Sequence, residues 1–517
     1  CPRTPFDLKA PSRQEFNAVL RAKANKAAPG MNGLSYVLYK RCPFAADLLF
    51  RVVQRVWEDK RVPHSWQMAR ITLLSKSDKE EDHAKPDMFR PIAVGNTDGK
   101  VFFSLVNCRF TEFMLGNKFI NTSIQKAFLP KIAGCVEHST LSFKALTNAK
   151  KYHRSIVETD TDVANAYGCL RHNLIQFTLW YYHVPAEMAQ LVAHYYDGLV
   201  ACVKTREWTT GWIPFCSGVF QGCTLSTILF DATYNLLVEW LKSCDAKGYE
   251  FRVEEGEPIV VRETLYADDT KFLTSSRDEN QRLLDCMAAF FDWSQCLRAK
   301  VKKCLTFGMA RVRKGVKCER KFVPMSTADY TPINPMLKIG ADDIPFLGEE
   351  PFKCLGRLIY VNLKDDKIRA KVHDDLVAML TKVDALPLTG PQKAWIYNHG
   401  VVPRLAWPFI VYEFPKCFVE RELMPEVTRC LKAWFGLAAC AAPEILFLSP
   451  EMKGLGCVSL LSQWESLGVS RSHLLKHSVD ERVQELYGYI KGQEMRDRKR
   501  ESSYPLKRSR QLRERLN

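Results

Sequence analysis

The chain has 517 residues, of which 46% are hydrophobic and 26% charged. That length is too great for one small core and suits two or three packed subdomains. The balance of apolar and charged residues excludes wholesale disorder and supports a core without covalent staples. With 74 Lys and Arg against 58 Asp and Glu, the formal charge is +16. Such an excess points to polyphosphate partners, whose counterions are released on binding, although a plainly soluble basic protein has the same composition. Eighteen cysteines run from Cys1 to Cys457 without a CxxC pair, so neither a zinc site nor a disulfide framework is predicted. They read as reduced, mostly buried thiols of an intracellular protein. No signal peptide and no apolar run of spanning length is evident, so no membrane partner is expected. The chain opens on Cys1 rather than Met and reads as a piece of a longer polyprotein.

Residues 1–60 read as mostly helix, broken by the Gly-rich stretch 27–33. Two strands, around Ala69–Leu74 and Ile92–Val94, flank a charged loop, Lys76–Lys85. Helix is expected over 96–150, then a short β-prone run at Ser155–Thr161 and a helix from near Asn165. A hairpin is expected over 200–221 with its turn near Gly211. Ile228, Leu229, Ala232, Leu236 and Trp240 recur at helical spacing. Two further β-rich runs, Ile259–Leu265 and Thr270–Leu273, surround a tight connection at Ala267-Asp268-Asp269. Helix over 277–296, strands and loops over 300–362, and helix from 363 with a break at Pro387–Pro391 complete the reading. The last stretch, Lys491–Asn517, carries ten Lys and Arg against four acids and reads as a solvated or frayed tail, or more sharply as a nucleic-acid-binding arm.

The chemistry is concentrated in Leu265-Tyr266-Ala267-Asp268-Asp269-Thr270. An ordinary hairpin favours Asn-Gly or Asp-Gly at its turn, and adjacent aspartates repel, so a structural turn gains nothing from the pair. A divalent metal removes the repulsion and uses both carboxylates. Upstream, Glu158-Thr159-Asp160-Thr161-Asp162-Val163-Ala164-Asn165-Ala166-Tyr167-Gly168 places a further carboxylate where a strand gives way to a helix. A strand end that delivers a carboxylate to a hairpin turn is what two-metal phosphoryl transfer needs, because cations about 3.5–4 Å apart share ligands from different elements. Read alone, the turn is equally a charged tip and Tyr167 a core aromatic.

Together these segments resemble the reverse transcriptases, and among them the enzymes of non-LTR (LINE-type) retrotransposons. Asp162-x-x-x-Ala166-Tyr167 resembles motif A, Gly218-Val219-Phe220-Gln221-Gly222-Cys223-Thr224-Leu225-Ser226 motif B, and Tyr266-Ala267-Asp268-Asp269 motif C, in the family's order. Leu73-Leu74-Ser75-Lys76 with Arg90-Pro91-Ile92 is similar to the fingers motif, and Ala28-Pro29-Gly30-Met31-Asn32-Gly33-Leu34 to the extra N-terminal motif of non-LTR enzymes. Gln125-Lys126-Ala127-Phe128 and Gly134-Cys135-Val136-Glu137-His138 resemble their insertion between fingers motifs. Trp293 through Lys303-Cys304 is similar to motif D and Lys353-Cys354-Leu355-Gly356 to the primer-grip hairpin. The departures are Thr224 and Thr227 for the usual prolines, Gly168 for Asp, Met31-Asn32 for Pro-Asp, and Cys354 for an aromatic residue.

The resemblance implies an α+β right-hand polymerase, with fingers, a palm of antiparallel sheet backed by helices, and an α-helical thumb. Its expected division is 1–45 for an N-terminal extension and first fingers motif, 46–150 for the fingers and 151–362 for the palm. The thumb with its downstream segment follows over 363–480, and a basic tail over 481–517. It implies Asp162, Asp268 and Asp269 as catalytic metal ligands, with Val163 as a further metal contact. Asp160 is then left to a solvated or salt-bridged role. Lys76, Arg90, Tyr167, Gln221, Gly222 and Lys303 would bind the nucleotide, with Tyr167 excluding a 2′-hydroxyl and Lys303 protonating pyrophosphate. Cys354, Leu355 and Gly356 would grip the primer. Mg²⁺ (or Mn²⁺) and deoxynucleoside triphosphates are the implied cofactor and substrates. Template RNA and a DNA primer or target site are the implied partners, in the nucleus or in a cytoplasmic ribonucleoprotein. The implied reaction is cDNA synthesis by target-primed reverse transcription, with an endonuclease domain elsewhere in the polyprotein. A group II intron-type reverse transcriptase/maturase and a domesticated, catalytically silent nucleic-acid-binding protein are the alternatives.

Overall fold

Ile156–Thr161 is buried along almost its whole length, including Glu158, as a strand in the middle of a covered sheet must be. In the computed structural model, which describes residues 1–252, 258–314, 319–324 and 336–492, it is the central strand of five. The order is Glu319–Pro324, Leu305–Lys314, Ile156–Thr161, Asp269–Thr274, Glu263–Tyr266, and every pairing is antiparallel. Thr224–Leu241 and Arg277–Ser294 pack together, the second directly against the sheet. The first is buried nearly all round, which is why its apolar pattern is broader than a single stripe. The second is amphipathic: Ser276 caps it through the Glu279 amide, and Leu283, Leu284, Met287 and Phe290 face inward. This is the expected palm.

A second, four-stranded sheet runs in the order Phe89–Gly95, Met68–Ser75, Val200–Val203, Ile213–Pro214. The two hairpins read separately from the sequence are one sheet, joined by parallel pairing of Met68–Ile71 with Val200–Val203. The expected helix over 96–150 is two helices, Thr97–Gly116 and Gly134–Tyr152. The segment between them is a run of turns that bridges the hairpin strand at Gln125, where Leu265 takes backbone bonds of Ile124 and Lys126 that a helix would keep.

From Asp366 the chain is helical with its own core, in which Leu376, Tyr397, Leu405, Val427, Leu431 and Leu460 are buried. Glu413 ties this thumb to the helix Gly134–Tyr152 through Lys144 (2.7 Å) and to its own last long helix through Arg471 (2.8 Å). Those two cations hold its carboxyl at about 2 against the opposing effect of burial. Residues 481–492 are helical, and Val483 and Leu486 are buried in a core shared with Leu141 and Leu146. A solvated tail therefore does not begin at 481, and the expected arm at 493–517 lies outside the described residues. The cysteines are less buried than expected: of the 17 described, five are buried, five exposed and seven between. No helix among the described residues is long and apolar enough to cross a membrane.

Candidate active site

Tyr266 pairs with Asp269, so Ala267 and Asp268 form a two-residue turn, with Ala267 left-handed at φ 55°. Asp162 follows Thr161, which pairs with Thr270 on the same hairpin, so the strand end and the turn meet. The Asp162 carbonyl accepts from the Lys300 amide at 2.7 Å, and the Ala164 amide donates to Arg298 at 2.8 Å. Val163 between them is buried and bridges Ala299. This pinning brings the Lys303 ammonium to 3.5 Å from the Asp162 carboxylate. Lys300 instead reaches towards Asp87, at 3.9 Å.

Asp162, Asp269, Lys303, Cys354 and Leu355 share the wall of one cavity of about 380 Å³. Asp268 is not in that wall. Its charge reaches Tyr167 and Asp231 on the other side of the turn. Burial first, then Asp269 and Asp162, push the Asp268 carboxyl up to about 6, with Lys303 opposing. Asp269 keeps solvent access and is shifted the same way, by the protein around it and by Asp162. Among the described residues no group of three His, Cys, Asp or Glu is placed to enclose a metal alone. The donor set instead fits a metal completed from outside: three carboxylates from two elements, mutually repelling and under-neutralised. Mg²⁺ is commonly held this way, by one or two carboxylates with substrate phosphates and water.

On the fingers sheet Arg90 lies opposite Leu74, and Lys76 anchors its ammonium on the Asp87 carbonyl at 2.6 Å. Burial, then Lys300, Lys303 and Arg90, lower the Lys76 ammonium. Four cations therefore crowd together, and one of them, Lys303, is in the carboxylate cavity. A polyphosphate relieves the repulsion among these cations.

Tyr167 sits on the short helix Ala166–Cys169 and stacks on Phe230 at 4.6 Å and 13°, which stacks on Tyr234 at 5.7 Å and 12°. The Tyr234 hydroxyl meets Thr270 at 2.9 Å, so this ring shelf is fixed to the catalytic hairpin. Gln221 and Gly222 sit elsewhere: the Ala93 amide donates to the Gln221 carbonyl at 2.7 Å. Gly222 is at φ 115°, and a Cβ there would stand 2.6 Å from the Ala93 carbonyl. The close approach this glycine permits is to the fingers strand.

Phe352–Cys354 and Arg357–Ile359 form the grip hairpin. Leu355 (φ 44°) and Gly356 (φ 85°) are both left-handed, as a two-residue turn of this hand requires. Cys354 is buried, and burial pushes its thiol up to about 12 with Lys271 opposing. It therefore packs the hairpin inward, and Leu355 is its turn residue in the cavity wall. Trp407 of the thumb donates to the Gly356 carbonyl at 3.2 Å.

Two features escaped the sequence reading. Lys271 is buried between Glu158, at 2.5 Å, and Asp160. Its signal was a lysine inside a strand, opposite carboxylates at i and i+2 of the neighbouring strand. Asp231 lies fully buried on Thr224–Leu241 with no hydrogen-bond partner for either oxygen. Burial and then Asp268 hold its carboxyl well above the usual range, hence neutral. A raised folded pKa gives stability that is complete below the unfolded value and lost as pH rises above it. Asp231→Asn removes that loss, so its melting temperature should exceed wild type by a few degrees at pH 8 and by nothing near pH 4. Calorimetry at both values checks the sign.

The profile of the family "Reverse transcriptase (RNA-dependent DNA polymerase)" matches residues 76–356, more than half the chain. The chain belongs to the reverse transcriptase family. The match begins at Lys76 and ends at Gly356, so it takes in every site residue described above. The chain is 24% identical over 437 residues to the Retrovirus-related Pol polyprotein from type-2 retrotransposable element R2DM of Drosophila melanogaster, covering 84% of this chain and 38% of the relative. It is 23% identical over 394 residues to the Retrovirus-related Pol polyprotein from type-1 retrotransposable element R2 of Nasonia vitripennis, covering 76% and 35%. These matches support the non-LTR resemblance, and the chain spans well under half the length of either relative. A solved apo telomerase from Candida tropicalis overlays 51% of this reverse transcriptase and 53% of its own chain, at 15% identity and TM-score 0.33, too slight a likeness to carry an inference.

Proposed function

We propose that this reverse transcriptase copies RNA into DNA by two-metal nucleotidyl transfer, using Mg²⁺ and deoxynucleoside triphosphates. The observation that carries the reading is the meeting of Asp162 with the Asp268-Asp269 turn beside Lys303 and the grip hairpin. The three carboxylates would hold the metals, which supply activation of the primer 3′-hydroxyl and neutralisation of the pyrophosphate. Lys76, Arg90 and Lys303 gather the triphosphate, and Lys303 stands where it can give a proton to the leaving group. Leu355 and Gly356 set the primer end against the carboxylates. Residues 46–150 would act as fingers, 151–362 as palm and 363–480 as thumb with its downstream segment.

Tyr167, stiffened by its stack on Phe230, would close the space beside the sugar. Tyr167→Ala should raise ribonucleotide incorporation relative to deoxynucleotide by about 10–100-fold, the range of a lost steric contact in a tight pocket. Competing single-nucleotide insertions measure it, and an unchanged ratio removes Tyr167 as the gate.

The finer reading is target-primed synthesis by a retrotransposon enzyme in the nucleus, fed by a nick that an endonuclease elsewhere in the polyprotein makes. A nicked duplex, an RNA annealing at the nick, Mg²⁺ and deoxynucleotides test it. Complementary DNA joined covalently to the nicked strand supports target priming. Extension of free primers alone leaves templated synthesis and removes target priming, and no extension by folded protein favours a silent binding role.

A further inference from the structure

The turn that carries Asp268 has an alanine in a left-handed conformation, at φ 55°, where a glycine would sit without cost. Something must hold it, and Gln125 does. Its Nε2 donates to the Ala267 carbonyl at 3.1 Å, and its Oε1 accepts from the Ala267 amide at 3.0 Å and from the Ala127 amide at 3.1 Å. Gln125 is fully buried, so no water substitutes for it. On either side of it the chain pairs with the hairpin: the Leu265 amide donates to Ile124 at 2.8 Å and the Lys126 amide to Leu265 at 3.1 Å.

The next residue is anchored from far away. The Lys126 ammonium lies between Glu137 (2.6 Å) and Asp480 (2.8 Å), all three buried. Asp480 follows the thumb, 354 residues from Lys126. Arg482 holds it at 3.0 Å and also donates to the Ser123 carbonyl. The stretch Ser123–Lys126 is thus held by the post-thumb segment at both ends, through Arg482 on Ser123 and Asp480 on Lys126, and between them Gln125 grips the turn before Asp268. A buried ion network whose members are all paired holds them in one geometry.

We propose that Gln125 is a positioning residue for the Asp268 carboxylate, and that Asp480, acting through Lys126, is its remote anchor. The inference rests on the polymerase reading of the site. It makes the segment after the thumb part of the metal-binding machinery, although no motif of the catalytic core includes it.

The test is a double-mutant cycle of Gln125→Met and Asp480→Asn, both close in volume to what they replace, in the full chain. Melting temperature first establishes that each variant is folded at the assay temperature. Gln125→Met should lower kcat about 10–100-fold with the nucleotide KM within about twofold, the cost of a small misplacement of a catalytic group. The Mg²⁺ concentration for half-maximal rate should rise in parallel. Asp480→Asn should move the same quantities in the same direction by less, and should add almost nothing on the Gln125→Met background, since one path carries both effects. Mn²⁺ binding followed by electron paramagnetic resonance gives the metal affinity without turnover, and should weaken in both variants. A folded Gln125→Met with wild-type Mn²⁺ affinity overturns the proposal. Fully additive effects remove Asp480 from it. Should Gln125→Met not fold, Asp480→Asn alone decides: unchanged Mn²⁺ affinity there overturns the remote anchor. Wild type that binds Mn²⁺ yet extends no primer counts against the polymerase reading alone, and the binding measurements still judge the positioning.

Discussion

Lys271→Met should destabilise the palm by about 3–5 kcal/mol, the cost of removing one partner from a buried ion cluster. Among the described residues the Lys271 ammonium is the one cation paired with Glu158, at 2.5 Å, and Asp160, and it also lies 5.2 Å over the Phe352 ring. Glu158 has Ser142 as a further donor at 2.8 Å; Asp160 has less support. A single ammonium cannot fully match two carboxylates, and Asp160 is the one that yields. Burial pushes its carboxyl up to about 6 even though Lys271 opposes, while burial is outweighed at Lys271 itself, which is held well above its usual range. The signs give the pH dependence. The raised lysine contributes stability at every pH below its ordinary value. The raised Asp160 contributes stability below pH ~4 that is lost on the way to pH ~6. Without Lys271 both carboxylates are uncompensated when ionised, so the deficit of the variant should be largest near pH 8 and shrink towards pH 4. Hydrogen exchange of the Ile156–Thr161 amides with urea unfolding reads it. A deficit under about 1 kcal/mol at pH 8 would mean the cluster is solvated rather than buried.

Asp268→Asn should cost at least about a thousandfold in kcat, several kcal/mol of transition-state stabilisation, while the protein becomes slightly more stable. The gain in stability follows from the position of Asp268, whose carboxyl is pushed up to about 6 by burial and by Asp269 and Asp162. Asparagine keeps the shape and removes the repulsion, so stability rises above pH ~6, where wild type pays to ionise the group. On the proposed two-metal reading the same change also removes a metal ligand, which is the source of the lost activity. Lost activity with gained stability is the mark of a residue kept for function. Rapid-quench kinetics beside thermal melts test the pair of effects. A variant that is less stable and less active by the same cause, or that keeps a tenth of wild-type kcat, contradicts this assignment.

The fold was legible wherever one local pattern decided it. The Ser155–Thr161 run, the Thr270–Leu273 run and the helical spacing from Ile228 to Trp240 formed where expected, whereas the expected run Ile259–Leu265 divides into Val260–Val261, which pairs with Tyr249–Glu250, and Glu263–Tyr266 of the main sheet. What was illegible depended on partners distant in the chain. Residues 117–133 were read as helix, because nothing local announces that Leu265 will claim the backbone of Ile124 and Lys126. Parallel pairing of Met68–Ile71 with Val200–Val203 joins segments more than a hundred residues apart. In the site, the Asp268-Asp269 pair stood out because adjacent acids at a turn are costly without a purpose, and Asp162 was chosen over Asp160 by its spacing to Tyr167 in the resemblance to motif A. Gln125 sat in a recognised motif, yet its bond to Ala267 is visible only once the hairpin is folded beside it. Lys271 and Asp231 were passed over because a single charge in an apolar run is usually solvated. Here one is paired and the other neutral.

The most direct test of RNA-templated DNA synthesis at these carboxylates is extension of a DNA primer annealed to a heteropolymeric RNA template. It needs only the purified chain, Mg²⁺ and the four deoxynucleoside triphosphates. The predicted result is full-length complementary DNA of the template's sequence, with ribonucleotides a poor substitute and Asp162→Asn as inert as a mock preparation. Folded wild-type protein that binds the primed template and adds no nucleotide, or an Asp162→Asn variant that extends it equally well, would contradict the account.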